Sequence, residues 1–285
     1  MHRLYIHLLG ILAMALIFAS CQKDNPTAPE SLSFDNGLMN LNEVITGTGG
    51  MYTVTTKHVT LTGTFAGIII AVDKAQVNLE GALIDGSLGN TNFGVGIHLL
   101  NRTGVHVTGG TVQNCNVGVL LGEVSANTGG GSKNHIKGVV VRNSRVTGGT
   151  SFDGDGIVIN NGTKNHVKDS QVSNVGGSFL SVGIRMWNGS DNHVNGNTVE
   201  SLKAGTHPPA GILLQGTDDS NVQENLVTNG AGRGIWAAPG ALGNILTNNT
   251  SLNNSYLDLE DGNPNCDSNI WRDNTFATAN QGCIQ

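Results

Sequence analysis

A residue pattern that repeats along the chain limits the possible folds more than any other feature of the sequence. An apolar or aromatic anchor residue returns nine times, at spacings of 18 to 34 residues. The anchors are Leu61, Leu79, Val107, Val141, Val167, Val194, Val222, Leu246 and Trp271. The residue five positions after the anchor is apolar in eight of these nine units. A unit of this size cannot bury its apolar residues alone, so the units must stack on one another.

The position three residues after each anchor forms a second series, which ends in four consecutive asparagines. The series reads Thr64, Ala82, Gly110, Ser144, Ser170, Asn197, Asn225, Asn249 and Asn274. Asparagine tolerates left-handed backbone angles, and its side-chain amide can bond to an asparagine in the next unit. We therefore expect a tight turn between two short inward-facing strands, with amides stacked at the turn.

A third recurring element lies 11 or 12 residues before the anchor, where glycine precedes isoleucine. It occurs at Gly67-Ile68, Gly96-Ile97, Gly156-Ile157, Gly183-Ile184, Gly211-Ile212 and Gly234-Ile235. Gly118-Val119 belongs to the series, although 12 extra residues separate it from Val141. Each unit thus carries three short strands, and a β-sandwich would not keep three fixed offsets. The pattern predicts an all-β fold, a right-handed parallel β-helix of about nine coils over residues 43–285.

The composition agrees with this fold and disfavours one class of partner. The chain contains 41 glycines and only 13% charged residues, a balance that lacks helix formers and favours strands joined by many turns. We expect almost no helix after the first 20 residues. The net charge of −6 offers no basic footprint for phosphates, so we expect no nucleic-acid partner.

The N-terminus resembles a bacterial lipoprotein signal. Arg3 precedes an apolar run from Leu8 to Phe18 that is too short for a comfortable membrane span, and the run ends at Ala19-Ser20-Cys21. Residues 1–20 are a predicted signal peptide, Cys21 the predicted lipid anchor, and residues 21–42 a predicted polar tether. The alternative is an ordinary signal peptide that leaves Cys21 free. We expect an exported protein, anchored in a membrane at the outer membrane or cell surface.

The remaining cysteines fit an exported protein. Cys266 and Cys283 lie close together near the end of the chain, and disulfides persist outside the cytosol. We therefore expect a disulfide between them that closes the last coil. Cys115 stands alone in mid-chain, and we interpret it as a small buried apolar residue.

Two blocks of the repeat resemble the parallel β-helix repeats of the pectate-lyase-like superfamily. They are Gly183-Ile184-Arg185-Met186-Trp187 with Asn192-His193-Val194-Asn195-Gly196-Asn197-Thr198-Val199, and Gly211-Ile212-Leu213-Leu214-Gln215 with Asn221-Val222-Gln223-Glu224-Asn225-Leu226-Val227. The resemblance covers residues 45–285 and implies that the Gly-Ile sheet is the substrate groove. That superfamily contains polysaccharide lyases, polygalacturonase-type hydrolases, uronan epimerases and proteins with no known chemistry. The resemblance therefore implies a fold and leaves the activity open.

Candidate site residues converge beside the Gly-Ile strands of the central coils. The residue after isoleucine should point outward, so one line of exposed side chains should run down the sheet. This line contains Ile69, His98, Leu120, Val158, Arg185, Leu213 and Trp236. The flanking segments add Asp153, Asp155, Trp187, His207 and Arg233. Aromatic faces stack on sugars, and arginine binds hydroxyls or the carboxylate of a uronate. Paired aspartates bind calcium or transfer protons. The combination favours a glycan as the ligand.

Two functions fit these residues. In the first, the chain is a lyase or epimerase-type enzyme acting on an acidic glycan, with hydrolysis by paired aspartates as a variant. The catalytic candidates are Asp153, Asp155, Arg185 and His207, and the substrate-binding candidates are His98, Trp187, Arg233 and Trp236. Ca²⁺ at the two aspartates, or Arg185, would neutralise the uronate carboxylate while His207 removes the proton at C5. In the second, a surface protein binds glycan or forms a structural rod without catalysis. We expect a monomer in both cases.

Each candidate also has a purely structural explanation. The sequence Asp153-Gly154-Asp155-Gly156 is common in turns, and an arginine on an outward strand is often solvated. Histidine precedes the anchor at His106, His166 and His193, and the last two would stack in adjacent coils. A shared metal is the alternative there. We favour a tolerant exposed position, because other coils place Thr60, Asn78, Val140, Asn221, Ile245 and Ile270 at it.

Overall fold

The computed structural model describes residues 66–86, 94–123, 129–145, 154–176 and 180–285, together with the backbone of five short strands before residue 62. The predicted signal peptide and Cys21 lie outside the described residues. Two of the early strands fall between residues 30 and 39, inside the segment predicted to be a tether. The first coil therefore begins before residue 43. None of the helices in the described part of the chain is long and apolar enough to cross a membrane.

Short parallel strands form three sheets, numbered here along the chain. Sheet 1 has ten strands: β1 (Glu30–Leu32), β4 (Met51–Val54), β7 (Gln76–Asn78), β10 (His106–Thr108), β13 (His135–Lys137), β16 (His166–Lys168), β19 (His193–Asn195), β22 (Asn221–Gln223), β25 (Ile245–Thr247) and β28 (Ile270–Arg272). Sheet 2 has ten: β2 (Leu38–Met39), β5 (His58–Leu61), β8 (Leu83–Asp85), β11 (Thr111–Gln113), β14 (Val140–Arg142), β17 (Gln171–Ser173), β20 (Thr198–Glu200), β23 (Leu226–Thr228), β26 (Thr250–Leu252) and β29 (Thr275–Phe276). Sheet 3 has nine: β3 (Glu43–Ile45), β6 (Ala66–Ile70), β9 (Val95–Leu99), β12 (Val117–Leu121), β15 (Asp155–Asn160), β18 (Val182–Trp187), β21 (Ala210–Gln215), β24 (Arg233–Ala237) and β27 (Leu257–Asp261).

Each strand pairs with its counterpart one coil away, and this confirms the predicted parallel β-helix with close to nine coils. Every described coil contributes inward residues from all three sheets to one continuous core; Ile97, Leu99, Val107 and Val112 do so in one coil and are fully buried. Among the described residues the one helical segment is a 3-10 turn at Pro264–Cys266, as the expectation of almost no helix requires.

The Gly-Ile signature follows from close packing at the start of each sheet 3 strand. A Cβ atom at Gly183 would lie 2.4 Å from Cγ1 of Val199 and 2.5 Å from the carbonyl oxygen of Gly211. The same approach recurs at Gly156, where Val172 and the next glycine stand equally near. Any side chain would collide with both the core and the next coil, so glycine is required there.

Six of the nine anchors occupy the inward position of sheet 1, and three were assigned wrongly. Leu61 and Val141 lie in sheet 2, on β5 and β14, and Leu79 follows β7. The true counterpart of Val107 is Ile136, which pairs with it across β10 and β13. The misassignment arose because insertions change the coil length, as between β12 and β13. The inward residues of sheets 1 and 2 are equally apolar, so one can be mistaken for the other when the spacing changes.

The four consecutive asparagines form the predicted ladder. The Nδ2 atoms of Asn197, Asn225 and Asn249 each donate to Oδ1 of the next asparagine at 3.0 Å, and the ladder ends at Asn274. Each amide also donates to a backbone carbonyl one coil back at 2.9 Å. The left-handed backbone angle falls on the residue before the asparagine, for example Glu224. Amide pairing, and not tolerance of that angle, therefore explains these asparagines.

A second asparagine ladder, which the sequence analysis missed, lies at the entrance to sheet 1. It contains Asn134, Asn165, Asn192, Asn244 and Asn269, with Ser220 in the intervening coil. All six side chains are buried. The two ladders lie on either side of strands β19, β22, β25 and β28 and satisfy backbone groups that the turns leave unpaired.

Replacing Asn225 by alanine should lower the free energy of unfolding by about 3 kcal/mol. The change leaves the backbone N–H and the side-chain amide of Asn197 without their shared acceptor, and both are buried. Asn221→Ala is the matched control, since Asn221 lies on the outward side of β22 and is half-buried. Urea unfolding measures both variants, and equal losses would contradict a stabilising ladder.

The predicted Cys266–Cys283 disulfide is present and joins residues 17 apart in sequence. Replacing both cysteines by serine should lower the free energy of unfolding by about 3 kcal/mol, because the bond closes a loop of this size in the unfolded chain. Thermal unfolding with and without reductant measures the effect.

Cys115 is buried, and burial raises the pKa of its thiol to about 12. It should therefore stay unmodified by iodoacetamide in the folded protein, while two labelled thiols before reduction would contradict the disulfide.

Candidate functional site

The residues that follow isoleucine in sheet 3 point away from the core, as the alternation of the strands predicts. The register aligns them across neighbouring strands as His98, Leu120, Val158, Arg185, Leu213 and Trp236. A second outward row precedes each glycine and contains Val95, Val117, Asp155, Val182, Ala210 and Arg233. The structure thus brings most of the predicted site residues onto one outer face.

Much of this outer face is buried, in contrast to the exposed line that the sequence predicts. Leu120, Val158 and Leu213 have no solvent exposure, and they belong to two small apolar clusters outside the main core. Trp187 packs on the edge of one cluster and Trp236 on the edge of the other. The alternation identifies the direction of these side chains, but only the tertiary structure shows that other parts of the chain cover them.

Arg185 and Asp155 form an ion pair in this covered layer, with side chains 2% and 0% exposed. Nε of Arg185 lies 2.6 Å from Oδ2 of Asp155, and Nη2 lies 3.3 Å from Oδ1. Nη2 also donates to the carbonyl oxygen of Leu180, and the backbone N–H of Val182 donates to Oδ1 of Asp155. The Arg185 guanidinium lies 5.4 Å from the centre of the Trp187 ring. The pair balances its own charge, so neither side chain is an exposed groove residue.

His98 lies at the other end of the covered layer. Its Nε2 atom donates to the carbonyl oxygen of Gly122 at 2.7 Å, and the ring is almost fully buried. Burial lowers the pKa of the imidazole below its usual range, despite the opposing effects of the Gly122 carbonyl and the Glu123 carboxylate. His98 is therefore neutral near pH 7 and three strands away from Arg185.

The exposed part of the outer face lies at its C-terminal end. The guanidinium of Arg233 lies 4.1 Å from the centre of the Trp236 ring and 4.6 Å from that of Tyr256. Nε of Arg233 pairs with Oε2 of Glu260, which neighbours Trp236 in the sheet. Tyr256 is 55% exposed. We call these four residues, Arg233, Trp236, Tyr256 and Glu260, the Arg233 platform.

The sequence analysis identified half of the Arg233 platform. It missed Tyr256 and Glu260 because their coil has Asp258 in place of the glycine that marks the other sheet 3 strands. The signal was available: Leu259 pairs with Ile235, so Glu260 follows the inward residue as Trp236 does. The indole Nε1 of Trp236 is buried and has no hydrogen-bond partner within the described residues.

The remaining candidates do not join either group. His207 is exposed in the segment that precedes β21, and Asp153 lies outside the described residues. Within the described part of the chain, no group of three or more histidine, cysteine, aspartate or glutamate side chains could hold a metal. Both carboxylate oxygens of Asp155 already accept hydrogen bonds, so Asp155 is a poor calcium ligand in this arrangement. Calcium binding that involves Asp153 stays a prediction.

Replacing Arg185 by alanine should lower the free energy of unfolding by about 3 to 5 kcal/mol, because the Asp155 carboxylate would remain buried without its counter-charge. The double variant Asp155→Asn with Arg185→Met should lose less, since no buried charge remains unpaired. Urea unfolding of both variants tests this. A single variant as stable as the wild type would mean that the pair is not buried in solution.

Comparison with known proteins agrees with the architecture. No curated protein sequence matches the chain. The crystal structure of the periplasmic alginate epimerase AlgG is similar over 82% of this chain and 70% of that one, with 11% sequence identity and a TM-score of 0.38. At these values the likeness carries no information about function. A family model described as a right handed beta helix region matches residues 95–285, two thirds of the chain. The chain therefore belongs to the family of right-handed β-helix proteins.

Proposed function

We propose that this protein binds polysaccharide through the Arg233 platform. The observation that carries the proposal is the Arg233 guanidinium lying against the rings of Trp236 and Tyr256, of which Tyr256 is more than half exposed. Exposed aromatic rings stack on the apolar faces of sugars, and arginine donates hydrogen bonds to their hydroxyls. Both groups stand on or beside strands of a rigid sheet.

The arginine of the platform is preorganised for binding. Its guanidinium contacts the rings of Trp236 and Tyr256, and its Nε pairs with the Glu260 carboxylate. Little side-chain entropy remains to be lost when a ligand binds, which favours affinity. Because Glu260 balances the arginine charge, the platform recognises sugar rings mainly by stacking and hydrogen bonding. It does not by itself select acidic over neutral glycans.

The enzymatic alternative has less support from the geometry. A lyase or epimerase reaction needs a cation that faces the substrate carboxylate, whereas Arg185 already neutralises Asp155 in a buried layer. Catalysis by Asp153, Asp155, Arg185 and His207 stays a prediction. Incubation of the protein with polyuronates and detection of unsaturated products by ultraviolet absorbance would reveal a lyase.

The place of action is part of the same proposal. The Cys266–Cys283 disulfide indicates an exported protein, because such bonds persist in oxidising compartments. Attachment to the outer membrane or cell surface through lipid on Cys21 would keep the solenoid near envelope polysaccharides. The net charge of −6 does not by itself favour an acidic glycan over a neutral one.

Tyr256→Ala should weaken binding of a retained glycan about tenfold, the equivalent of losing one aromatic stacking interaction. Binding of the full-length protein to a panel of neutral and acidic polysaccharides, measured by microarray and then by calorimetry, identifies the ligand. Leu226→Ala is the control, since Leu226 is a 41% exposed apolar residue on sheet 2. Unaltered binding by Tyr256→Ala and by Trp236→Ala, with melting temperatures like the wild type, would remove the platform as the site.

A further inference from the structure

A stack of four histidines runs along the outer face of sheet 1, away from the Arg233 platform. The stack contains His106, His135, His166 and His193, one from each of four consecutive coils. Neighbouring ring centres lie 4.5, 4.5 and 4.6 Å apart, and the last three rings are nearly parallel. His135 escaped the sequence analysis because the anchor of its coil is Ile136 and not Val141.

Four exposed lysines flank the histidines in stacked pairs. Lys137 pairs in register with Lys168 across β13 and β16, one position beyond the inward residue. Lys133 and Lys164 occupy equivalent turns on the other side of the histidines, joined by the bridge between Ser132 and Thr163. Four cations thus lie beside the stack in two adjacent coils. We call the four histidines and four lysines the histidine-lysine strip.

The acidic residues beside the strip, Asp169 and Asp191, are fewer than its four lysines. Among the described residues, ion pairs join Arg185 to Asp155 and Arg233 to Glu260, both on sheet 3. Like charges opposite each other on neighbouring strands destabilise a sheet. Two stacked pairs of lysines on a chain of net charge −6 therefore form a locally positive surface, whose repulsion Asp169 and Asp191 offset only in part.

We propose that the histidine-lysine strip is a second binding surface, which takes a linear acidic polysaccharide along the axis of the solenoid. Strands are about 4.8 Å apart, so the two lysines of each stacked pair lie one short step apart, as neighbouring carboxylates do in a polymer with one carboxylate per sugar. The strip is one side chain wide on each side of the stack, and in the next two coils the turn that holds Lys133 and Lys164 carries Asp191 and Asp219. A flat anionic membrane would meet these carboxylates, whereas a single polymer chain can lie on the strip alone.

The histidines make this surface sensitive to pH. Burial, and then the charges of His135 and His193, lower the pKa of His166 to about 4. Burial and the charge of His106 also lower the pKa of His135. Both central rings are therefore neutral at pH 7, and the lysines carry the positive charge.

A bound polyanion favours the protonated rings, so it raises their pKa values. By linkage, affinity must increase as pH falls from the ordinary histidine value of 6.5 towards 4, while polymer carboxylates stay largely ionised. The charged and titratable groups that face the stack are Lys133, Lys137, Lys164, Lys168, Asp169 and Asp191. Of these, Asp191 accepts a hydrogen bond from Ser190, and the lysines outnumber the acids.

Calorimetry of the full-length protein with polygalacturonate, at about pH 7.5 and about pH 5, tests the proposal. The double variant Lys137→Gln with Lys168→Gln should bind about tenfold more weakly at both pH values, since two exposed charges are lost. Lys203→Gln is the control for a lysine that is exposed elsewhere. His135→Gln with His166→Gln should keep the affinity at the higher pH and lose the increase at the lower one.

Three outcomes would overturn the proposal. The first is wild-type affinity in the double lysine variant, whose exposed changes leave the fold intact as shown by its melting temperature. The second is binding to phosphatidylglycerol vesicles without binding to polygalacturonate, which would assign the strip to a membrane. The third is loss of all polygalacturonate binding in Tyr256→Ala, which would assign the polymer to the Arg233 platform. Binding on the strip with no glycan on the platform would instead refute the proposed function alone.

Discussion

Parallel pairing of each coil with the next, in register, is the constraint on which the rest of the structure depends. It places every residue next to its counterpart in the adjacent coils. Each side chain is therefore stabilised or destabilised by the equivalent side chains on either side. Val107 meets Ile136 in the core, Asn197 meets Asn225 in the turn, and Lys137 meets Lys168 on the surface. The stability of a coil is consequently a property of pairs of coils, as in other solenoids.

The outer face of sheet 3 shows how this geometry builds a second layer. Two outward residues from each strand form rows that are continuous over several coils, and where the rows are apolar the rest of the chain covers them. Arg185 and Asp155 interrupt the rows with a charged pair. Because burial penalises an isolated charge, that pair must be complete, and its residues cannot also act as free groups in an open groove. Beyond Leu213, at the C-terminal end of the described face, Tyr256 is exposed beside the half-buried Trp236.

The fold could be predicted from the sequence because every coil contains the same residue pattern. Glycine before Ile184 or Ile212 marks sheet 3, and the asparagine turns mark the passage from sheet 1 to sheet 2. Coils with an insertion misled the alignment, as at Val141, because any inward valine satisfies the pattern equally well. The direction of Arg185 was predictable from strand alternation. Its burial was not, since burial depends on segments that the repeat does not describe.

Stacking also has different effects on different residue types. A residue that pairs with copies of itself stabilises the fold, whereas one that repels its copies does not. An asparagine carries both a donor and an acceptor, so a column such as Asn225 on Asn249 satisfies itself and becomes more favourable with each coil added. A lysine carries only donors and a positive charge, so a column of lysines repels itself. A neutral histidine stacks without that cost. Protonation of His166, however, is opposed by burial and by the charges of the neighbouring histidines. Where a solenoid repeats residues that are not self-complementary, as at Lys137 and Lys168, a bound ligand of opposite charge would relieve the repulsion, and such columns are therefore the places to look for ligands.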